Sequence, residues 1–466
     1  MLDEFGEELG QASAVGSGGA RTTALYERVL GEYGDDSVAQ LGGAHIACEW
    51  SSNVLTKILQ RPRLGAYLEQ STRYIPYDRP MSGGGFRYHR APELDTAYEA
   101  AMDHLFEVYA SLQAPVAEWI AERFPQDVGE PQAAHERAVR AKALDLLRGL
   151  LPAASLSHVG VFASAQTFER LILHLLAHPL AEARRCGELM LSAMQVAAPS
   201  FVTRVGRPER GGQWVSFLQR RAGAEASAVR RLGLDGEPSP EQAGVRLLRV
   251  EGSEQELLGA LLFEASSLGE ARIADSLSGL DAEQRGELIA ELVGRRENRR
   301  HLPGRGFEAL RYRFEIVSDY GAFRDLQRHR MLTAQWQTLG PHLGAEVPEE
   351  LREAGLTDPY EAALERSREA WQSLRDQGLE VQAPYALCLA YRVRYVLDLN
   401  AREAIHLIEL RSGREGHAGY RRIAQRMHEL IGEIHPAVAA AMSHMGEGEE
   451  PRLERILAER RRERLS

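Results

Sequence analysis

The sequence predicts an α+β fold made of two similar modules in tandem, each a mixed sheet packed with helices. Three observations carry that expectation. A half-motif occurs twice, once as Arg61-Pro62-Arg63 and once as Arg328-His329-Arg330. Each R-x-R is followed after seven residues by a small hydroxyl residue, Ser71 in one copy and Thr338 in the other. Residues 222–243 hold Gly, Pro and Ser without a long apolar run and divide the chain near its midpoint. Strand-like and helix-like patterns also alternate in the same order in both halves.

The elements follow in order. Residues 12–22 are small and Gly-rich, so the N-terminus up to residue 24 reads as flexible. The first module spans 25–221. In it Ser157-His158-Val159-Gly160-Val161-Phe162 reads as a short strand feeding an amphipathic helix, with Phe168, Leu171, Ile172, Leu175 and Leu176 at helical spacing. The linker 222–243 leads into a second module at 244–445. Val245 to Val250 is a short apolar run, and Ser253 with Glu256 forms a capping box that opens a helix carrying Leu257, Leu258, Leu261 and Leu262. Tyr391 to Leu397 alternates as a strand does. The next helix opens at Asn400, with Glu403 three residues on as an N-cap pair. The tail 446–466 reads as a charged helix, solvated or in contact with a partner.

Composition bounds the function. A chain of 466 residues suits two or three domains, and a hydrophobic fraction of 44% supplies their cores. A net charge of -11 argues against a general nucleic-acid binder, so no nucleic-acid partner is expected. Cys48, Cys186 and Cys388 lie far apart with no C-x-x-C spacing; no metal site or disulfide framework is expected, and a reducing cytoplasm fits. The acidic N-terminus lacks an apolar leader core, and the apolar stretches are too short to span a bilayer, so no membrane partner is expected.

The arginine clusters carry the chemistry. A guanidinium grips phosphate bidentately and stays charged at any working pH. Arg328-His329-Arg330 sets two such groups beside an imidazole, and Asn400-Ala401-Arg402 adds an amide and a guanidinium at a helix start, where free N–H groups attract anions. Arg411 lies eleven residues after Asn400, about three helical turns, so both face the same way with His406 between them. Each feature alone is ordinary. An R-H-R triplet is commonly a salt-bridged surface, Asn400 with Glu403 can be a cap and nothing more, and Ser71 lacks the neighbours of a triad nucleophile.

Their joint order resembles the flavin-dependent thymidylate synthases, whose signature is R-H-R, seven residues and Ser, ending N-E-x-S-x-R-Y. The first half matches at Arg61, Arg63, Glu69, Ser71, Arg73 and Tyr74, and shows Arg148-Gly149-Leu150-Leu151-Pro152 for the family's R-x-x-L-P. The second half matches at Arg328, His329, Arg330, Asn400, Arg402 and Arg411, and His417-Ala418 parallels a later His-Ala. The resemblance implies reductive methylation of dUMP, with FAD as cofactor and methylenetetrahydrofolate and NADPH as co-substrates, at sites shared between subunits. It assigns Glu69, Ser71, Arg73 and Arg148 to dUMP, and Arg328, His329, Arg330, Asn400, Arg402 and His406 to the flavin. Arg411 becomes the group that polarises the uracil ring.

Each half departs from the pattern. Pro62 replaces the His of R-H-R, and Ser164, Gln166 and Leu175 stand where the later Asn and the two Arg would be. In the second half Trp336, Thr338, Gly340 and Pro384 replace the Glu, Ser and the two Arg of the dUMP set. The losses do not overlap. The expectation is therefore a composite site shared by the two modules, in a homodimer that mimics the family's tetramer. The alternative is a non-catalytic flavin- or nucleotide-binding relative that acts as scaffold or regulator.

Overall fold

The computed structural model describes residue 40 and residues 42–236, 238, 240–446 and 453–463. The N-terminal stretch read as flexible lies outside them. Along the chain run β1 (Gly43–Ser52), α1 (Asn53–Leu59), β2 (Gly65–Glu69), α2 (Thr96–Arg123), α3 (Gln132–Leu147), β3 (Leu156–Ser164), α4 (Ala165–Leu176), α5 (Ala181–Ala197) and α6 (Gln213–Arg231). There follow β4 (Gly244–Glu251), α7 (Glu254–Phe263), β5 (Arg311–Asp319), α8 (Tyr320–Leu326), β6 (Leu332–Trp336), α9 (Thr357–Asp376), β7 (Arg392–Asn400), α10 (Ala401–Arg411), α11 (Ala418–Gly432) and α12 (Ile456–Glu463).

One order of elements occurs twice. Strand, short helix, R-x-R, strand, helical excursion, strand and capped helix describe β1 through α4, and again β5 through α10. The first sheet has the order β1-β3-β2 and the second β4-β5-β7-β6, with every described pairing antiparallel. In each repeat the strand after R-x-R pairs with the strand that feeds the capped helix.

The sequence accounts for these elements locally. On β3, Val159, Val161 and Ala163 are buried while Gly160 and Phe162 face out; on β7, Val393, Tyr395, Leu397 and Leu399 are buried. Ser164 caps α4 through Thr167 N, and Asn400 caps α10 by accepting from Glu403 N at 2.8 Å. Phe168, Leu171, Ile172 and Leu175 bury the inner stripe of α4. Ser253 caps α7 as its capping-box pattern implied, and Leu257 and Leu258 are buried beneath it. Helix α6 runs to Arg231, through part of the stretch read as a linker. Alternating alanines at 222, 224, 226 and 228 favour helix over coil there. The described residues from Leu232 to Ala243 hold no helix or strand.

The chain forms two compact units that do not follow chain order. One holds the described residues up to Ser71, Ala154–Glu237 and Gly378–Tyr385; the other holds Thr72–Ala153, Pro238–Gln377 and Ala386–Ser466 as far as they are described. The excursion between β2 and β3, with α2 and α3, therefore belongs to the unit built on the second sheet. Arg73 opens that excursion and Arg148 closes it. No helix among the described residues is long and apolar enough to cross a membrane.

Candidate functional site

The excursion brings first-half residues into the unit of the second sheet. Arg148 follows α3 in a short 3-10 turn, Arg148–Leu150. That turn is fixed by backbone bonds from Ala390 N to Gly149 O and from Leu389 N to Leu151 O, both 2.9 Å. Gly149 is required there, because a Cβ would lie 2.1 Å from the Tyr360 hydroxyl. Arg148 is buried and reaches Asp325 Oδ2 with Nη1 at 3.5 Å; its Nη2 stands 3.8 Å from Asp319 Oδ1. Nη2 makes no hydrogen bond. It sits over the first turn of α8, 3.2 Å from where a side chain on Gly321 would begin.

Asp325 gathers three arginines. Besides Arg148, its carboxyl lies 3.8 Å from Arg328 and 4.0 Å from Arg411. Burial alone would raise the Asp325 pKa, but Arg328, Arg148 and Arg411 outweigh it and hold the carboxyl well below the usual range. Asp319 caps α8 by accepting from Ala322 N at 2.8 Å, and burial pushes its carboxyl up. Asp325 lies three residues before Arg328 on one helical turn; Asp319 is a helix cap of a familiar kind. Both signals stand in the sequence.

Arg73 is spent differently. Its Nε and Nη2 donate to the two oxygens of Asp145 at 2.7 and 2.6 Å, Nη1 donates to the Tyr420 hydroxyl at 2.9 Å, and Nη2 also reaches Glu415 O at 3.3 Å. Tyr420 lies between two guanidiniums, with the carbons of Arg73 and Arg411 5.8 and 5.5 Å from its ring centre. Asp145 sits in the last turn of α3, where no sequence pattern sets it apart from other charged helix residues.

His329 is the hub of the second-half residues. Its Nδ1 bonds Glu403 Oε1 at 2.9 Å, and its Nε2 accepts from Arg411 Nε at 3.0 Å. Only the tautomer protonated on Nδ1 satisfies both. Burial lowers the His329 pKa to about 4 despite the Glu403 bond, so the ring is neutral at pH 7. Burial would raise Glu403, but hydrogen bonds from His329 and His406 hold it at about 2. His406 approaches Glu403 Oε2 at 3.3 Å and is partly exposed. These three residues place ligand-type atoms within 4.8 Å of one another. A metal-bound imidazole is normally oriented by an acceptor on its other nitrogen. Arg411 puts a donor there, so the trio reads as a hydrogen-bonded network.

The other expected residues make their own contacts. Arg330 is exposed and Arg328 about a third exposed. Arg402 donates to Pro303 O at 3.0 Å and lies 3.7 Å from Glu308. Asn400 uses its side-chain oxygen as the α10 cap. Glu69 and Ser71 lie in the other unit, where Glu69 is buried against Lys57 at 3.0 Å and Gln60 at 2.7 Å. His417 is half-buried and caps α11 by accepting from Gly419 N at 3.0 Å. Burial, then the charge of Arg148, lowers its pKa far below normal.

A cavity of about 610 Å³ opens beside this cluster, within the same unit. Asp145, Arg148, Asp319 and His417 form its inner wall, with Trp119 and Tyr360 as its aromatic faces. The cavity lining sets Arg123, Lys142, Arg148, Arg352 and Arg422 against Asp145, Asp319, Glu346, Glu349, Glu350, Glu353 and Glu454, so its excess of charge is acidic; the guanidiniums of Arg73, Arg328, Arg411 and Arg455 gather beside it on Asp145 and Asp325.

Comparison with known proteins bears on this arrangement. The chain is 35% identical over 421 residues to a UPF0159 protein of Chlamydia muridarum, covering 89% of this chain and 79% of that one. A UPF0159 protein of Chlamydia pneumoniae is 34% identical over 420 residues, with 88% and 78% covered. One from Thermoplasma acidophilum is 29% identical over 472 residues, with 95% and 92% covered. Among solved structures, a UMP/dUMP methylase, PolB, from Streptomyces cacaoi bound with 5-Br dUMP is similar at 17% identity. That match covers 45% of this chain and 98% of that one, with a TM-score of 0.35. The profile of the thymidylate synthase complementing proteins matches residues 5–200 and again 247–437. With both of its halves matched, the chain belongs to the thymidylate synthase complementing protein family.

Proposed function

We propose that this chain binds a pyrimidine nucleotide, dUMP or a close relative, at the Arg148–Asp325–Arg411 cluster and methylates its base as a flavin-dependent thymidylate synthase does. The observation that carries the reading is Arg148, a cavity-lining residue whose buried Nη2 makes no hydrogen bond and stands 3.8 Å from Asp319 Oδ1. A buried donor left unpaired costs about 1–3 kcal/mol, which a ligand oxygen would recover. The guanidinium of Arg148 suits a phosphate oxygen.

Within the reading, Arg148 holds the nucleotide phosphate. Arg411, positioned by neutral His329 and by Tyr420, stabilises negative charge that develops on the pyrimidine ring. Because the His329 ring carries no charge at pH 7, it orients the Arg411 guanidinium without repelling it. The donor set also fits a flavin: Arg328, Arg330 and Arg402 are guanidiniums within reach of solvent and suited to a pyrophosphate. FAD supplies redox equivalents when bound, with methylenetetrahydrofolate as carbon donor and NADPH as reductant. The chain's own contribution is binding, orientation and electrostatics.

The experiment is to add FAD to the purified protein, remove excess by gel filtration, and record the flavin spectrum with and without dUMP. Retained flavin whose spectrum shifts on adding dUMP supports the reading; no retained flavin in either condition overturns it.

One observation favours a second reading, a nucleotide- or flavin-binding relative without turnover. Arg73, expected to grip the nucleotide, is closed on Asp145 and Tyr420. NADPH oxidation that depends on dUMP would exclude this reading; binding of both ligands without turnover would establish it.

A further inference from the structure

The segment that ends the described chain is held by charge. Helix α12 buries none of its own residues, and in the turn before it Leu453 is the one buried apolar side chain. Arg137 on α3 reaches Glu459 at 2.6 Å and Glu463 at 2.5 Å. Arg460 reaches Glu130 and Asp127, both at 2.8 Å. Lys142 Nζ is shared between Glu454 at 2.7 Å and Glu350 at 2.8 Å. Arg455 donates to Asp145 Oδ2 at 3.4 Å and to Arg73 O at 3.3 Å, and lies 4.1 Å from the Tyr74 ring centre.

The root of this segment thus rests on the Arg73–Asp145 pair, and Glu454 forms part of the cavity wall together with Lys142 and Asp145. The outer pairs, Arg137 with Glu459 and Glu463 and Arg460 with Asp127, lie within reach of solvent and are individually weak and screened by salt, whereas Lys142–Glu454 and Arg455–Asp145 are buried. A helix docked by the outer pairs, with no buried residue of its own, is the kind of element that opens locally while the rest stays folded.

We propose that residues 453–463 form a charge-latched strap that opens and closes over the Lys142–Asp145 wall and so gates access to the cavity. The latch is the pair of carboxylates, Glu459 and Glu463, on Arg137. The gate is Glu454 on Lys142.

The sequence supplies its own probe. It contains only two lysines, Lys57 and Lys142. Both are buried in ion pairs, Lys57 against Glu69 in the other unit. The full-length protein is treated with an amine-acetylating ester, and acetylation of each lysine is followed by mass spectrometry. Closed, the strap keeps Lys142 slow. Arg137→Glu should speed Lys142 labelling about tenfold and leave Lys57 unchanged. Adding Glu459→Arg and Glu463→Arg to that variant should restore the slow rate. Raising NaCl from about 0.05 M to about 0.5 M should also speed Lys142 in the wild type. Equal Lys142 rates in wild type and Arg137→Glu, a parallel rise at Lys57, or failure of the charge swap to restore protection would overturn the proposal. The labelling needs no nucleotide, so its outcome is independent of the proposed function.

Discussion

Arg148 and Asp325 stand 177 positions apart in the chain, and their side chains meet at 3.5 Å. Arg148 comes from the first half of the repeat, Asp325 from the second. Asp325 also lies 3.8 Å from Arg328 and 4.0 Å from Arg411, so one carboxyl joins candidate residues of both halves.

Removing that carboxyl leaves three partly buried guanidiniums facing one another. Asp325→Ala should lower unfolding stability by about 3 kcal/mol, the usual result of stripping one partner from a buried ion cluster. Urea denaturation measures it. A loss under about 1 kcal/mol would mean that the arginines repel little and that Asp325 is not their common anchor.

Gly149 makes a sharper packing prediction. A Cβ at this position would sit 2.1 Å from Tyr360 Oη and 3.1 Å from Ala390 Cβ. Gly149→Ala should destabilise by about 1–3 kcal/mol. Pairing it with Tyr360→Phe, which removes the clashing oxygen, should recover much of the loss. Full stability in the single variant would contradict the close approach that fixes Arg148.

The His329–Glu403 pair sets an acid limit. His329 stays neutral down to about pH 4 in the folded site, against an ordinary value of 6.5. Below 6.5 the unfolded chain takes up a proton that the folded ring refuses, so stability falls as pH drops from about 6.5 toward about 4, by about 3 kcal/mol at most. Glu403, held at about 2, adds stability that is present above 4.5 and lost as pH falls through about 2. Chemical denaturation at a series of pH values should show this slope, and His329→Gln should flatten its upper part. An unchanged slope in that variant would put the acid sensitivity elsewhere.

Arg411 separates binding from chemistry. Arg411→Ala should keep flavin binding and lower turnover by about 100-fold or more, the usual scale for a lost charge-stabilising donor. The same turnover in variant and wild type would remove Arg411 from the reacting end of the site.

Local signals carried much of this fold. The alternation of Val159, Val161 and Ala163 and the Ser164, Asn400 and Ser253 caps each describe a few neighbouring residues, and each appears in the structure; the Glu256 side chain, expected to complete a capping box, accepts from the Ser253 hydroxyl instead. The crossing of the chain was not legible. Nothing local says that α2 and α3 join the second sheet's unit, because that depends on packing between distant segments. Site residues divide the same way. Arg148 and Arg411 belong to spaced motifs, whereas Asp145 is an ordinary acid on a helix until the fold sets it against Arg73. The tail read as a charged helix is one over Ile456–Glu463, and its charges bond back to α3.

The proposed role of Arg148 is to hold a nucleotide phosphate. The most direct measurement is calorimetric titration of dUMP into the wild type and into Arg148→Ala, with the folded state of each checked by circular dichroism. Saturable binding to the wild type that weakens by about tenfold or more in the variant is expected, as for loss of a charged hydrogen bond. Equal affinity in the two folded proteins, or no dUMP binding by the wild type, would contradict it.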